Sequence, residues 1–346
     1  MENLLQKFTK DDSGIYFHSS PPSQDLYDSI WKDTHNLDSS RIKKPENIEA
    51  TAEKLSALIL PTAYLQSQIV KFSSDLRVLE VCAGHGNFSL AAVSLGSRNV
   101  YMCDGSRSAL LHMSELLKEP EFFEHKKSLN LLQIDIEKIS TSLPRASFDL
   151  VFQRFAIHHM RNPAKTAYDL ANLVKPGGLL CFNYFTTGCT HQINRDLRSF
   201  FLKKDFEYIK RLFLDFNLCK NINREAHLRS ALYDNPSFKS EFPEAHEFLM
   251  SMAEKYGFDL LAKKLHYEDA NTPYLHNIDR IYMEKFVTSL GLRVVDKRDT
   301  VDEQTLTLAV PSEGIKALEE SQIPSTLEFS DEDISLGDNL ISRCGA

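Results

Sequence analysis

The chain has 346 residues, 42% of them hydrophobic and 25% charged, with a formal net charge of −8. That length and apolar content support a substantial core, in one large domain or one domain carrying a sizeable insertion. The acidic balance argues against a broad basic surface, so no nucleic-acid partner is expected.

No segment approaches the roughly 20 apolar residues of a membrane span, and MENLLQKFTKDDSG lacks a basic region followed by an apolar core. Neither a membrane nor an export route is expected. The six cysteines, Cys82, Cys103, Cys181, Cys189, Cys219 and Cys344, show neither CxxC pairing nor His-Cys metal spacing. They predict a reducing, cytoplasmic setting and no metal site.

Residues 1–72 read as a polar arm followed by helices. Ser19-Ser20-Pro21-Pro22 breaks the arm, and Leu26, Tyr27, Ile30 and Trp31 form a short amphipathic patch within it. Ile48, Ala52, Leu55, Leu58 and Ile59 then recur at helical spacing, Pro61 interrupts, and Tyr64, Leu65, Ile69 and Phe72 resume.

Residues 73–186 alternate strand and helix. Val78, Leu79 and Val81 form a buried strand that ends in the turn Gly84-x-Gly86 and feeds a helix from Phe88. Strands follow at Val100 to Cys103, Leu131 to Ile134, Phe148 to Phe152 and Leu179 to Asn183, separated by helical patterns. Such βαβ units mean a parallel sheet covered on both faces.

Residues 187–277 break that rhythm and predict a helical cap, with Leu197, Phe201, Tyr208, Leu212 and Phe216 on one face and Ala245, Phe248, Leu249, Met252, Ala253 and Tyr256 on another. Residues 278–310 return to it with a helix stopped by Gly291 and two apolar runs joined too closely to be parallel, hence an antiparallel hairpin. Residues 311–346 form an acidic tail that reads as a loose flap. The expected architecture is α/β: a doubly wound, mostly parallel seven-stranded sheet with a terminal antiparallel hairpin and a helical insertion.

A glycine turn entering a helix suits a nucleotide-like ligand, because it brings bare backbone and unpaired N–H groups together. With an acid some 20 residues on, it is shared by many dinucleotide binders. Three features narrow the choice. Glu80 stands on the strand just before the turn, where a carboxylate can support an amino-bearing ligand. Asp104 and Asp135 end the next two strands, and the sheet closes with a hairpin rather than a second nucleotide-binding half.

In VLEVCAGHGNF, VYMCDGS, LLQIDIE, FDLVFQRFAIHHM and LVKPGGLLCFNYF the chain resembles the class I S-adenosylmethionine-dependent methyltransferases, over about 77–185 and 282–310. The resemblance implies S-adenosylmethionine as cofactor. It implies that Glu80, Gly84 and Gly86 face its methionine part, Asp104 its ribose hydroxyls, Asp135 and Ile136 its adenine, and Gln153 the sulfonium. Cys82 departs from the family, which usually has Gly there.

Methyl transfer depends mainly on alignment and exclusion of water, with a base where the acceptor carries a proton. His158 and His159 after the fourth strand, and Tyr184 and His191 about the end of the fifth, are the candidates. Each competes with a plain pocket-lining or surface role. Gln153-Arg154-Phe155-Ala156 replaces the Asn/Asp-Pro-Pro-Tyr element of base-amino methyltransferases, and no divalent-metal carboxylate set follows. The expected acceptor is therefore an O or N atom of a small molecule or biosynthetic intermediate. The alternatives are a protein or peptide acceptor and, in a different class, a non-catalytic cofactor-binding scaffold. The pattern leaves oligomeric state open.

Overall fold

The computed structural model describes residues 4–18, 48–53, 73–186, 191–218, 223–271, 275–300 and 303–327. The chain divides into two compact units, Met1–Thr187 with His276–Ala346, and Gly188–Leu275.

In the first unit the strands are β1 (Phe8–Lys10), β2 (Ile15–His18), β3 (Arg77–Val81), β4 (Asn99–Asp104), β5 (Leu129–Gln133), β6 (Phe148–Gln153), β7 (Val174–Phe185), β8 (Arg293–Asp299) and β9 (Glu303–Ala309). They form one sheet in the order β1-β2-β5-β4-β3-β6-β7-β9-β8. The block from β2 to β7 is parallel, while β1, β9 and β8 pair antiparallel to their neighbours.

Successive strand residues point to opposite faces, so each apolar run splits between two cores. Leu79, Val81, Tyr101, Val151, Leu180 and Phe182 pack on one face with Ala164, Ala167 and Leu170 of the Pro163–Leu173 helix and Met283 and Phe286 of the Arg280–Ser289 helix. Val78, Val100, Met102, Leu150, Phe152 and Cys181 pack on the other with Leu90 of the Asn87–Ser94 helix and Leu110 and Met113 of the Arg107–Leu116 helix. Because both faces are covered, the strand sequences are nearly continuous in apolar residues rather than alternating. Each of three helices starts where a polar side chain accepts from its first turn: Ser106 from Ala109 N–H, Asn162 from Lys165 N–H and Asp279 from Tyr282 N–H.

The sheet has nine strands, not seven. The two additional strands, β1 and β2, lie within the polar arm expected to open residues 1–72. Ile15 is wholly buried and pairs in parallel with Leu131. A tight turn folds β1 back on β2: Asp11 Oδ1 accepts from Ile15 N–H at 3.0 Å, and Arg107 forms an ion pair with Asp11. Runs of three and four residues are too short for periodicity to reveal.

The described part of the acidic tail also differs from the loose flap expected. Leu327 is buried, Ile315, Leu318 and Ile323 pack against the core, and Tyr168 accepts from Leu318 N–H at 3.0 Å. Helix is present at 48–53, with Ile48 and Ala52 buried. The patch around Trp31, the helix expected through Tyr64 to Phe72 and the tail beyond 327 lie outside the described residues.

The second unit is helical, with helices His191–Phe201, Phe206–Leu214, Arg224–Arg229, Pro236–Glu241, Pro243–Tyr256, Phe258–Lys264 and Tyr267–Asn271. Asp205 caps the second by accepting from Tyr208 N–H at 2.8 Å, which breaks the face expected to run from Leu197 to Phe216. The unit has its own aromatic core. Phe216 meets Phe238 edge to face with centroids 4.8 Å apart, and Phe201 meets Phe213 at 5.7 Å.

Ile15→Ala is expected to lower stability by about 2–4 kcal/mol in urea unfolding, the cost of emptying a closed apolar site. A change under about 0.5 kcal/mol would show that β2 contributes nothing to the sheet.

Candidate functional site

From β3 the chain builds β4 and β5 on one side and then crosses to build β6 and β7 on the other. Strand order therefore reverses between β3 and β6, and in doubly wound sheets the ligand crevice opens at the carboxyl ends of the strands flanking such a point. The strand ends are level there, with Val81 opposite both Cys103 and Gln153.

The turn after β3 is pinned by two buried carboxylates. Asp104, the last residue of β4, accepts from Gly84 N–H through Oδ2 and from Ser106 N–H through Oδ1, both at 2.8 Å. Glu80 shares the sheet face of Val78 and reaches the start of the Asn87–Ser94 helix, where Oε2 accepts from Ser89 N–H at 2.8 Å and from the Ser89 hydroxyl at 2.6 Å. A negative group beside the positive end of a helix is favourable. Burial nevertheless pushes the Glu80 carboxyl up to about 7; the Ser89 hydrogen bonds pull it down, and the nearby Asp104 charge adds to the rise.

Gly86 opens that helix with φ of 68°. A Cβ there would lie 2.6 Å from Met102 Sδ and 2.7 Å from Met113 Cε, so both the backbone conformation and the space require glycine. Cys82, with φ of 52°, is left-handed without being glycine, at a cost of roughly 1 kcal/mol. This explains the usual preference for Gly at the position. Burial, then the charge of Asp104, holds its thiol well above the ordinary cysteine value, so it is no thiolate.

Across the crevice, Gln153 ends β6 wholly buried, and neither its Oε1 nor its Nε2 has a hydrogen-bond partner among the described residues. A buried amide left this way costs about 1–3 kcal/mol, which points to a polar ligand or water. Asp135 is half-buried and caps the Ile136–Lys138 turn, Oδ1 accepting from Glu137 N–H at 3.0 Å; Ile136 beside it is buried. Glu80, Gly84, Gly86, Asp104, Asp135, Ile136 and Gln153 thus lie along one carboxyl edge of the sheet.

The catalytic candidates are not all gathered there. His158 and His159 share the turn Ile157–His159 after β6, ring centroids 4.2 Å apart. His158 is buried, stacks on Phe185 at 4.1 Å and accepts from Phe185 N–H at Nδ1, 3.4 Å away. That contact assigns the proton of the neutral ring to Nε2. Tyr184 faces the core instead of the rim: the alternation of β7 places it beside Phe182, and its hydroxyl bonds Gln304. Burial raises its phenol well above the ordinary value, which unsuits it as a base. His191 opens the first helix of the second unit.

Sequence reading takes Ser89 only as a stand-in for the third glycine of a dinucleotide fingerprint and misses that its hydroxyl secures Glu80; it also misses Asn183, whose Oδ1 accepts from Phe155 N–H at 2.6 Å. Neither carries a local signal, because each bond spans two elements.

A Rossmann-like sheet whose switch point is lined by Glu80, a left-handed glycine turn and Asp104 defines the class of this unit. Residues 79–182 match the family Methyltransferase domain, and this core is a methyltransferase domain of the class I S-adenosylmethionine-dependent kind. Among curated proteins, malonyl-[acyl-carrier protein] O-methyltransferase 2 of Ilyobacter polytropus is 26% identical over 132 residues, 38% of this chain and 47% of that protein. The chain thus spans about half the length of that curated relative. Among solved structures, the chain is similar to magnesium protoporphyrin IX methyltransferase of Synechocystis PCC 6803 with bound SAH, at 11% identity and a TM-score of 0.45 over 83% of this chain and 97% of that one. A Mesorhizobium loti S-adenosylmethionine-dependent methyltransferase is 21% identical, with a TM-score of 0.29 over 37% of this chain and 54% of that one.

The raised Glu80 carboxyl makes stability depend on pH. Folded Glu80 keeps a proton between its ordinary 4.5 and about 7, where an unfolded carboxyl has lost it. Its contribution is complete below 4.5 and declines as pH rises through about 7, by on the order of 3 kcal/mol. Glu80→Gln is expected to flatten that part of the urea-midpoint profile. An identical slope in both proteins would remove Glu80 as its source.

Proposed function

We propose that the protein is an S-adenosylmethionine-dependent methyltransferase acting on an O or N atom of a small-molecule or biosynthetic acceptor. The observation that carries this reading is the buried Gln153 amide, without a partner among the described residues, at the end of the strand paired with β3, whose glycine turn two carboxylates pin at the switch point. An O acceptor is in keeping with the name of the curated relative.

The residues fit the cofactor. Asp104, held at the end of β4 by the N–H groups of Gly84 and Ser106, would take the ribose hydroxyls with its carboxylate. Gly84 and Gly86 keep the turn bare for the methionine part. Glu80 would favour its ammonium, Asp135 and Ile136 would flank the adenine, and the Gln153 amide would recover the hydrogen bonds it lacks. When bound, S-adenosylmethionine supplies an electrophilic methyl group on a sulfonium. The work left to the chain is to align the acceptor and exclude water.

His158 is the side chain we assign to the acceptor. With Nδ1 turned to Phe185 N–H, its ring offers an N–H at Nε2, which suits orienting an acceptor oxygen better than removing a proton. His159, on the same turn, is the reserve candidate for a base.

The test is incubation with cofactor labelled in its methyl group and a fractionated extract, followed by identification of the labelled species. A labelled small molecule supports the proposal, labelled protein favours the peptide-acceptor reading, and tight S-adenosylhomocysteine binding without label transfer favours a scaffold. Asp104→Ala is expected to weaken S-adenosylhomocysteine binding by more than about tenfold, because two hydroxyls and the Gly84 N–H lose their acceptor; unchanged affinity in calorimetry removes Asp104 from the site. His158→Gln, which keeps an N–H, is expected to retain more turnover than His158→Ala. Equal loss in both, with the acid limb of the kcat profile abolished, would restore His158 as a base.

A further inference from the structure

We propose that Arg154 and Phe155 form the recognition element for an oxyanion, a carboxylate or phosphate, carried by the methyl acceptor next to an apolar or planar group; this rests on the methyltransferase reading above. Both residues follow Gln153 directly, at the end of β6 on the switch-point edge of the sheet.

Arg154 is exposed and makes neither a hydrogen bond nor an ion pair among the described residues. Its guanidinium carbon lies 5.4 Å from the centre of the Phe88 ring and 4.8 Å from that of Phe155. Rings against the guanidinium leave its N–H edge as the part able to donate, the arrangement that binds a carboxylate or phosphate through two parallel hydrogen bonds. The position is built rather than incidental. Phe155 has φ of 51°, a conformation costly to a residue with a bulky side chain. Buried Asn183 holds it there by accepting its N–H at 2.6 Å. Phe88, the other ring, is fixed by stacking on Phe152 at 4.3 Å.

The surroundings supply the second half of the recognition. Phe155 is 36% exposed and lies 6.3 Å from Phe185, which stacks on His158. An exposed aromatic edge thus lies beside a guanidinium that makes no ion pair among the described residues, a ring and a cation placed to meet one ligand. An arginine stays charged throughout.

Benzoate, phenylphosphate and the neutral benzamide are suitable probes, because they share one ring and differ in the group offered to Arg154. In ligand-observed NMR titrations the wild-type protein is expected to bind benzoate or phenylphosphate about tenfold more tightly than benzamide; which of the two is preferred identifies the oxyanion. Arg154→Gln is expected to abolish the preference and Arg154→Lys to keep part of it, with thermal unfolding reporting that both variants are folded. Phe155→Leu is expected to weaken all three probes together. Equal binding of benzamide and both anions to the wild type, or a preference that survives Arg154→Gln, overturns the proposal. So does an Arg154→Gln protein that loses S-adenosylhomocysteine by tenfold or more, since Arg154 would then serve the cofactor's own carboxylate. Failure of the wild type to bind S-adenosylhomocysteine, measured separately, would count against the methyltransferase reading and leave the oxyanion preference as a property of the edge itself.

Discussion

The structure of the crevice depends on two carboxylates holding backbone N–H groups where no regular element would. A tight turn between a strand and a helix has N–H groups unpaired on both sides, and here both sets are satisfied from β3 and β4. Glu80 takes the first turn of the Asn87–Ser94 helix, and Asp104 takes Gly84 and Ser106. The two side chains are close enough for the charge of one to raise the carboxyl of the other. Pinned this way, the turn stays at the carboxyl edge of the sheet.

In the methyltransferase reading the same pins would reach the cofactor. Acids that already accept from the backbone cannot swing away, so a ligand that met them would lose less to ordering of side chains. Gln153 is the opposite case: its polar atoms have no partner among the described residues, and a ligand that satisfies them gains the penalty otherwise left in the fold. In the methyltransferase reading, rigid acids on one side of the switch point would serve orientation and the Gln153 amide on the other would serve affinity.

Left-handed residues mark three places where the backbone was set by its surroundings. Gly86 is glycine for want of space as well as for its φ. Cys82 and Phe155 hold the same conformation without being glycine, beside Asp104 and Asn183 respectively. Strain of this kind concentrates where geometry serves a ligand, and these two flank the crevice on its β3 and β6 sides. The His158 turn follows immediately, so the residues proposed to meet the acceptor belong to one continuous stretch, Gln153 to His159.

The sequence by itself determined the parallel core, the closing hairpin and the run of acids at the strand ends. Each depends on patterns local to the chain: apolar runs of five or six residues, a glycine turn entering a helix, and an acid where a strand stops. It did not contain β1 and β2, because three- and four-residue strands show no periodicity and form here by pairing, β2 with β5 and β1 with β2. Nor could it place Tyr184, since one step in the alternation of β7 turns a rim hydroxyl into a core one, and only the register with Gln304 decides which. Ser89 on Glu80, Asn183 on Phe155 and the rings beside Arg154 belong to the same class. They are contacts between side chains far apart in the chain, and nothing short of the packed sheet brings them together.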